Sequence, residues 1–198
     1  MIVGVLLAAG AGTRFGGDKL LARLPDETPL GVRAARTLRS GVDKCLAVVR
    51  PEDVTLARLL EAEDVDVADF SHADDGMGAS LAFGVRSASD ADGWIIALAD
   101  MPYVQRETIE IVAGMLRAGA WIAAPSYRGR RGHPVGFTRA LFPELIGLGG
   151  DHGARTILER YAPRVEVFES EDPGILLDID KLQDLVAGVT DRGDKFLL

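Results

Sequence analysis

Short apolar runs alternate with amphipathic segments along almost the whole chain of 198 residues. Apolar runs of strand length with few polar residues are typical of buried strands in a parallel sheet. We predict strands at residues 3–9, 45–49, 65–68, 94–99, 121–124, 165–168 and 175–178.

Between these runs, apolar residues recur at helical spacing. We expect helices starting after Pro29, at residues 54–61, near residue 79 and at residues 106–117. Thr28 and Pro29 predict an N-cap with a first-turn proline, and Gly41 predicts the end of that first helix. Alternation of strands and helices predicts one α/β domain over residues 1–198: a three-layer α/β/α sandwich whose mostly parallel sheet is covered on both faces.

Two segments contain too many glycines and polar residues to continue these patterns. Residues 69–78 and 127–132 are therefore predicted to be loops. In open α/β sheets, ligands bind outside the carboxyl ends of the strands, so the residues that follow each strand are the candidates for function.

Composition narrows the class of protein. Hydrophobic residues make up 47% of the chain and charged residues 26%, which are ordinary values for a globular protein with a core. The net charge of −8 disfavours nucleic acid and anionic membranes as partners. The sequence shows neither a signal peptide nor an apolar run of roughly 20 residues, so we expect a cytoplasmic protein. Cys45 lies in an apolar run and is predicted to be a buried, unreactive thiol.

The first predicted strand leads into a glycine-rich loop that carries two cations, Arg14 and Lys19. Glycines leave backbone N–H groups accessible to a phosphate, and the cations attract a polyanion. The spacing misses the dinucleotide motif by one residue, and the Walker pattern fails because Gly17-Asp18-Lys19-Leu20 lacks its Gly-Lys-Ser/Thr order. The loop therefore predicts phosphate binding, against the alternative of a glycine-rich turn with two solvated cations.

Carboxylates follow two of the predicted strands. Asp100 ends the run at 94–99, just before Pro102, and Asp178 and Asp180 share a face if the strand at 175–178 continues through them. Mg²⁺ binds one or two carboxylates together with substrate phosphates and water. Asp100 with one of this pair would form such a site. The alternatives are a turn or N-cap role for Asp100 and a helix-capping role for Asp180.

Two glycine-rich clusters carry further charge. Residues 127–137 contain three arginines and His133. Residues 149–155 form a glycine-rich turn that leads into the start of a predicted helix, where Asp151 could act as the cap and Arg155 could project. Arginines in glycine turns suit an anionic, phosphate-bearing substrate, although solvated surface loops would have the same composition. His133 lies between Arg131 and a proline, which makes it a poor metal ligand, and we predict no zinc site.

Taken together, these segments resemble a known family. Residues 7–21 resemble the signature loop of nucleotidyltransferases with a MobA-like fold, and Ala99-Asp100-Met101-Pro102 resembles their metal-binding motif. Residues 76–81, 131–135, 150–155 and 177–180 resemble the subgroup that contains molybdenum cofactor cytidylyltransferase. The resemblance implies a Rossmann-like sheet of the nucleotide-diphospho-sugar transferase type. Ala99 stands where the family usually has glycine, and Lys181 follows Asp180 where it usually has threonine.

The resemblance implies transfer of a nucleoside monophosphate from a nucleoside triphosphate to an acceptor phosphate, with release of pyrophosphate. It implies Mg²⁺ as cofactor, held by Asp100 and Asp180, with Lys19, Arg14 and Asp100 as catalytic residues. The implied nucleotide-binding residues are Leu7, Ala8, Ala9, Gly10, Gly12, Arg14, Lys19 and Ser80. The implied acceptor-binding residues are Arg131, His133, Asp151 and Arg155.

The sequence of the first loop bears on the nucleotide, but not on the acceptor. Ala8-Ala9-Gly10 is more similar to the cytidylyl-transferring branch than to the guanylyl branch, which favours CTP. Molybdopterin is the acceptor that the resemblance implies, with a molybdoenzyme as a possible partner. The alternatives are a sugar or polyol phosphate as acceptor, or a protein that binds molybdenum cofactor and inserts it into a partner dehydrogenase.

Overall fold

A computed structural model describes residues 1–10, 15, 18–181 and 184–185. Gly12 and Arg14, two of the predicted nucleotide-binding residues, lie outside the described residues. The strands are β1 Ile2–Leu7, β2 Lys44–Val49, β3 Asp66–Asp69, β4 Gly93–Leu98, β5 Ile122–Tyr127, β6 Arg130–Arg131, β7 Val135–Thr138 and β8 Val165–Glu169. The α-helices are α1 Leu30–Ser40, α2 Val54–Glu61, α3 Met77–Ser87, α4 Arg106–Arg117, α5 Phe142–Ile146 and α6 Arg155–Arg160.

One mixed sheet, with the strand order β3-β2-β1-β4-β7-β5, forms the middle layer, and β6 and β8 each pair with β5. The pairs β1–β2, β1–β4, β2–β3 and β5–β8 are parallel, whereas β7 runs antiparallel to both β4 and β5. Because β7 reverses direction between them, β4 and β5 point the same way. The carboxyl ends of β1, β2, β4 and β5 therefore meet at one edge of the sheet.

Each face of the sheet has its own hydrophobic core. Side chains alternate along a strand, so Ile2 and Leu6 of β1 pack with α1, α2 and α4. Val3 and Val5, the residues between them, pack with α3, α5 and α6 on the opposite face. This arrangement confirms the three-layer α/β/α architecture and explains why the strands lack polar alternation.

The helices predicted at 54–61 and 106–117 have those bounds in the structure. The first helix begins one residue later than the Thr28–Pro29 pattern indicates, because Pro29 is the N-cap and Leu30 is the first helical residue. The helix α3 begins at Met77 rather than near residue 79. The helix start predicted at residues 149–155 corresponds to α6, which begins at Arg155, whereas the short helix α5 was not predicted.

Two predictions of local structure are wrong. Residues 127–132 are not simply a loop, because Arg128 and Gly129, with φ angles of 51° and 74°, make a tight turn that pairs Tyr127 with Arg130. Positive φ at both positions is what a two-residue hairpin turn requires. Residues 175–178 are not a strand, because the chain forms a short 3-10 helix, Pro173–Leu176, and then continues as coil. Ile175 is fully buried, so the apolar run correctly indicated a buried segment, but not an extended backbone.

Among the described residues, no helix combines the length and the apolar character needed to cross a membrane.

Candidate active site

A cleft of about 860 Å³ opens at the carboxyl ends of β1, β2 and β4. Its walls come from the end of β1, the connection after β2, the start of α3 and the loop after β4. The predicted site residues that line it are Leu7, Ala8, Ala9, Gly10, Lys19, Ser80, Asp100, Asp151 and Asp180. The cleft lies where open α/β sheets bind their ligands, outside the carboxyl ends of the strands. It brings together residues that are up to 173 positions apart in the chain.

Lys19 joins two carboxylates within this cleft. Its Nζ lies 2.9 Å from Oδ2 of Asp100 and 3.3 Å from Oδ1 of Asp180. The Lys19 side chain is only 11% exposed, while those of Asp100 and Asp180 are 29% and 44% exposed. Lys19 is therefore held within the wall, and both carboxylates still reach the open space of the cleft.

The pairing of β4 with β1 in the sheet positions Asp100. It follows β4, and the N–H of the preceding residue, Ala99, donates to the Leu7 carbonyl at 3.1 Å. The strand pairing of β4 with β1 therefore continues up to the carboxylate. The backbone carbonyl of Asp100 accepts a hydrogen bond of 2.9 Å from the Ile179 N–H. This bond brings the segment that carries Asp180 next to Asp100.

Asp180 is positioned by a buried carboxylate that the sequence analysis missed. Asp172 is 2% exposed and accepts hydrogen bonds from the Gln105 N–H at 2.7 Å, the Thr108 hydroxyl at 2.8 Å and the Gly174 N–H at 2.8 Å. It therefore fastens the chain before Asp180 to the start of α4. The Asp172-Pro173-Gly174 sequence, a turn signal, could have indicated this role.

Two glycines allow the chain to approach this closely. A Cβ atom at Gly174 would overlap the carbonyl of Tyr103, and one at Gly132 would overlap the carbonyl of Ile175. The N–H of His133 also donates to the Ile175 carbonyl at 3.0 Å. Residues 170–181, which we call the docked segment, are thus held between the loop after β4 and the β6–β7 connection.

Asp178 is exposed and lies in coil rather than on a strand beside Asp180. Partial desolvation of its carboxyl raises its pKa, and the negative charges of Asp180 and Asp100 act in the same direction, against the opposing effect of Lys19. The prediction that Asp178 and Asp180 share a strand face is wrong because these residues are in coil. Asp180 contacts Lys19, and Asp178 does not line the cleft.

The pair Asp100 and Asp180 is chemically suited to a divalent cation. Both carboxylates already converge on one cationic group, the Lys19 ammonium. Within the described part of the chain, no cluster of three or more His, Cys, Asp or Glu side chains forms a complete metal cage. Mg²⁺ does not require such a cage, because it usually combines one or two carboxylates with substrate phosphates and water.

The wall opposite this carboxylate pair contains Ser80. Ser80 is 6% exposed in the first turn of α3, and its hydroxyl donates to the Gly76 carbonyl at 3.4 Å. The start of α3 packs directly on the loop at 149–151, since the Gly78 N–H donates to the Gly150 carbonyl at 2.7 Å. A Cβ at Gly76 or Gly78 would overlap that loop.

The predicted acceptor-binding residues occupy different places. Asp151 lies in the cleft lining, with its Oδ1 close to Gly76, and it does not cap α6, whose N-cap is Ala154. Arg155 is exposed and donates to Glu159 at 2.8 Å along α6. Arg131 is exposed on β6. Both arginines lie outside the cleft lining, and their role in acceptor binding stays a prediction.

His133 lies beneath the site rather than in it. It lines a small cavity with Met101 and Val104, under the loop that follows Asp100. Its Nδ1 is buried and has no hydrogen-bond partner within the described ranges. Burial lowers the pKa of His133, although the charge of Asp100 opposes that shift. A neutral imidazole offers little attraction to an anionic acceptor, and its predicted acceptor role remains untested by this geometry.

Proteins similar to this chain are known from sequence. The sequence profile described as the MobA-like NTP transferase domain matches residues 4–165. The chain is 33% identical to the purine catabolism protein PucB of Bacillus subtilis (strain 168), over 90% of this chain and 91% of PucB. It is 27% identical to the nicotine blue oxidoreductase of Paenarthrobacter nicotinovorans, over 93% and 94% of the two chains.

Solved structures share the fold across nearly the whole chain. A nucleotidyl transferase from Methanothermobacter thermautotroptrophicus has a TM-score of 0.80 at 25% identity, covering 94% of this chain and 95% of its own. The manganese complex of Rv0371c from Mycobacterium tuberculosis H37Rv has a TM-score of 0.76 at 27% identity, covering 95% and 99%. With the profile match and the cleft geometry, these similarities show that the chain belongs to the MobA-like NTP transferase family of nucleotidyltransferases.

Proposed function

We propose that the protein is a Mg²⁺-dependent cytidylyltransferase that transfers CMP from CTP to the phosphate of molybdopterin. The observation that carries the proposal is the convergence of Asp100 and Asp180 on the Lys19 ammonium, in a cleft that the end of the first strand lines through residues 7–10. Family membership supports the transfer chemistry. The similarity of Ala8-Ala9-Gly10 to the cytidylyl branch, and of residues 131–135 and 150–155 to the molybdenum cofactor subgroup, supports the two substrates.

In this reaction an oxygen of the acceptor phosphate attacks the α-phosphorus of CTP. The bond from the α-phosphorus to the bridging oxygen breaks, and pyrophosphate leaves with the electron pair. The acceptor is already an anionic nucleophile, so the protein needs no nucleophile of its own. Its task is positioning and charge neutralisation.

Asp100 and Asp180 would hold Mg²⁺, which supplies positive charge to the phosphate oxygens when it is bound. The structure of the Rv0371c complex with manganese, a related fold, supports a divalent cation in this family. Lys19 is a fixed cation only 2.9 Å from Asp100, so it would neutralise charge that develops on the departing pyrophosphate. Leu7, Ala8, Ala9, Gly10 and Ser80 would form the nucleoside end of the cleft.

The test is an assay of pyrophosphate release. The protein is incubated with Mg²⁺ and each of CTP, GTP, ATP and UTP, with molybdopterin or with sugar and polyol phosphates as acceptors. We expect release with CTP and molybdopterin. Release with GTP alone would contradict the base assignment, and release with a sugar or polyol phosphate alone would contradict the acceptor. No release from any pair, together with tight binding of molybdopterin, would favour the cofactor-insertion alternative.

A matched pair of variants tests the site. Asp100→Asn keeps the shape of the side chain but removes the charge, so we expect turnover to fall at least about 1000-fold. Asp90→Asn removes an exposed carboxylate from the turn before β4, and we expect wild-type turnover. Wild-type turnover in the Asp100→Asn protein would refute the role of Asp100.

A further inference from the structure

Arg50 places a guanidinium in the wall of the cleft, and the mechanism above does not use it. It is the first residue after β2 and lines the cleft together with Ala9 and Ser80. Its side chain is 18% exposed. Because β2 pairs with β1 in parallel, the two strands end side by side, and Arg50 lies next to the residues that follow β1.

The guanidinium of Arg50 contacts both sides of the nucleoside end of the cleft. Its Nε donates to the Ala9 carbonyl at 2.9 Å, and its Nη2 donates to Oδ1 of Asp74 at 2.8 Å. A third nitrogen, Nη1, lies 3.6 Å from a carboxylate oxygen of Glu52. The planar fork of arginine allows these contacts at the same time, which a lysine ammonium cannot reproduce with the same geometry.

These contacts tie together two separate elements. Ala9 belongs to the end of the first strand, where the N–H of Ala8 also donates to the Val48 carbonyl at 2.9 Å. Asp74 belongs to the 3-10 helix Ala73–Asp75, immediately before the start of α3 and Ser80. The width of the cleft between these elements is therefore set in part by one side chain.

We propose that Arg50 is a positioning residue that fixes the nucleoside subsite and sets its selectivity among nucleobases. This inference rests on the proposed function. The bonds from Arg50 hold the Ala9 carbonyl and the turn at Asp74 in fixed positions on the two sides of the subsite. Removal of the guanidinium releases both, so nucleotides bind more weakly and the protein distinguishes bases less well.

The experiment measures CTP binding by calorimetry without acceptor, and then the steady-state kinetics with each triphosphate. For Arg50→Gln we expect about a tenfold rise in the Kd and KM for CTP, with kcat changed less than about threefold. We also expect the ratio of kcat/KM between the best and second-best triphosphate to fall. Arg50→Lys, which keeps the charge, should recover only part of the loss.

Two further variants keep the test interpretable. Arg36→Gln removes an arginine that binds Glu63 through two hydrogen bonds of 2.6 and 2.7 Å, away from the cleft lining, and should leave nucleotide binding unchanged. Asp74→Asn changes an exposed partner of Arg50 and should raise the Kd in the same direction, by about threefold, in a fully folded protein.

Unchanged Kd and base ratios in folded Arg50→Gln and Asp74→Asn proteins would overturn the inference while leaving the proposed function intact. A fall in kcat with KM unchanged would also overturn it, because that result indicates a role in the chemical step. A wild-type protein that binds no triphosphate would overturn both proposals.

Discussion

The two carboxylates of the site come from regions that are held in place by different forces. Asp100 follows β4, and its position is set by the parallel pairing of β1 with β4 and by apolar side chains on both faces of the sheet. Asp180 lies in the docked segment, residues 170–181, where the described residues form a 3-10 helix and coil rather than a strand. The docked segment depends on Asp172, on glycine contacts and on the Ile179–Asp100 hydrogen bond.

This difference shows that one candidate site can combine a residue positioned by a hydrophobic sheet with a residue positioned by a few local contacts. The hydrophobic sheet resists disturbance because its stabilisation is spread over many buried side chains. The docked segment buries only two large apolar side chains, Ile175 and Ile179, and otherwise relies on a few polar and backbone contacts, so single substitutions there should have large effects. Each region supplies one carboxylate to Lys19, so the proposed function requires both regions to be in place.

The largest expected effect comes from Gly174→Ala. A methyl group there would overlap the Tyr103 carbonyl, so we expect the free energy of unfolding to fall by about 3 kcal/mol. The matched control is Gly114→Ala in α4, where a Cβ would meet no atom within 4 Å. That change should stabilise the protein by up to about 1 kcal/mol. Urea denaturation measures both values, and equal effects of the two substitutions would contradict the tight docking at Gly174.

Asp172→Asn should have the next largest effect. The amide lacks the charge that the Gln105 N–H, Thr108 and Gly174 now contact, so we expect a loss of about 2 kcal/mol in unfolding free energy. The docked segment should also become more open to amide hydrogen exchange, while β1 and β4 keep their protection. Loss of protection throughout the sheet would show that the docked segment is not a separate unit of stability.

The smallest expected effect concerns the sheet region. Burial raises the pKa of the Cys45 thiol on β2 to about 12, so at pH 8 only about one molecule in 10,000 carries the reactive thiolate. We expect no reaction with a thiol-specific disulfide reagent within an hour, and rapid reaction after unfolding in urea. Fast labelling of the native protein would contradict rigid packing in this layer.

The two regions also differ in how far their structures follow from sequence pattern. The apolar runs that became β1, β2 and β4, and the helical spacing of α2 and α4, predict those elements because burial there is regular along the chain. The same reasoning placed a strand at 175–178, since a buried apolar run gives no direct sign of whether it is extended. The docked segment is fixed by Asp172 and by glycine contacts with distant backbone, and these contacts exist only after the chain has folded.

The residues of the candidate site also differ in how far sequence pattern predicts them. Lys19 and Asp100 could be predicted from one glycine-rich loop and one strand end, whereas the contact of Asp180 with Lys19 requires the docked segment to be in place. The pairing of Arg50 with Ala9 and Asp74 was missed, because nothing in a single sequence relates the end of β2 to those two residues. His133 lines a cavity under the loop that follows Asp100, which its sequence position did not indicate, and its role in acceptor binding stays a prediction.

The central claim is that Asp100 and Asp180 together bind one divalent cation with the nucleotide. The most direct measurement is a Mn²⁺ titration followed by electron paramagnetic resonance, with CTP present and no acceptor. We predict one tightly bound Mn²⁺ per wild-type and Asp90→Asn protein, and an affinity at least about tenfold weaker in both Asp100→Asn and Asp180→Asn. Undiminished Mn²⁺ binding in either of these two variants would contradict the claim.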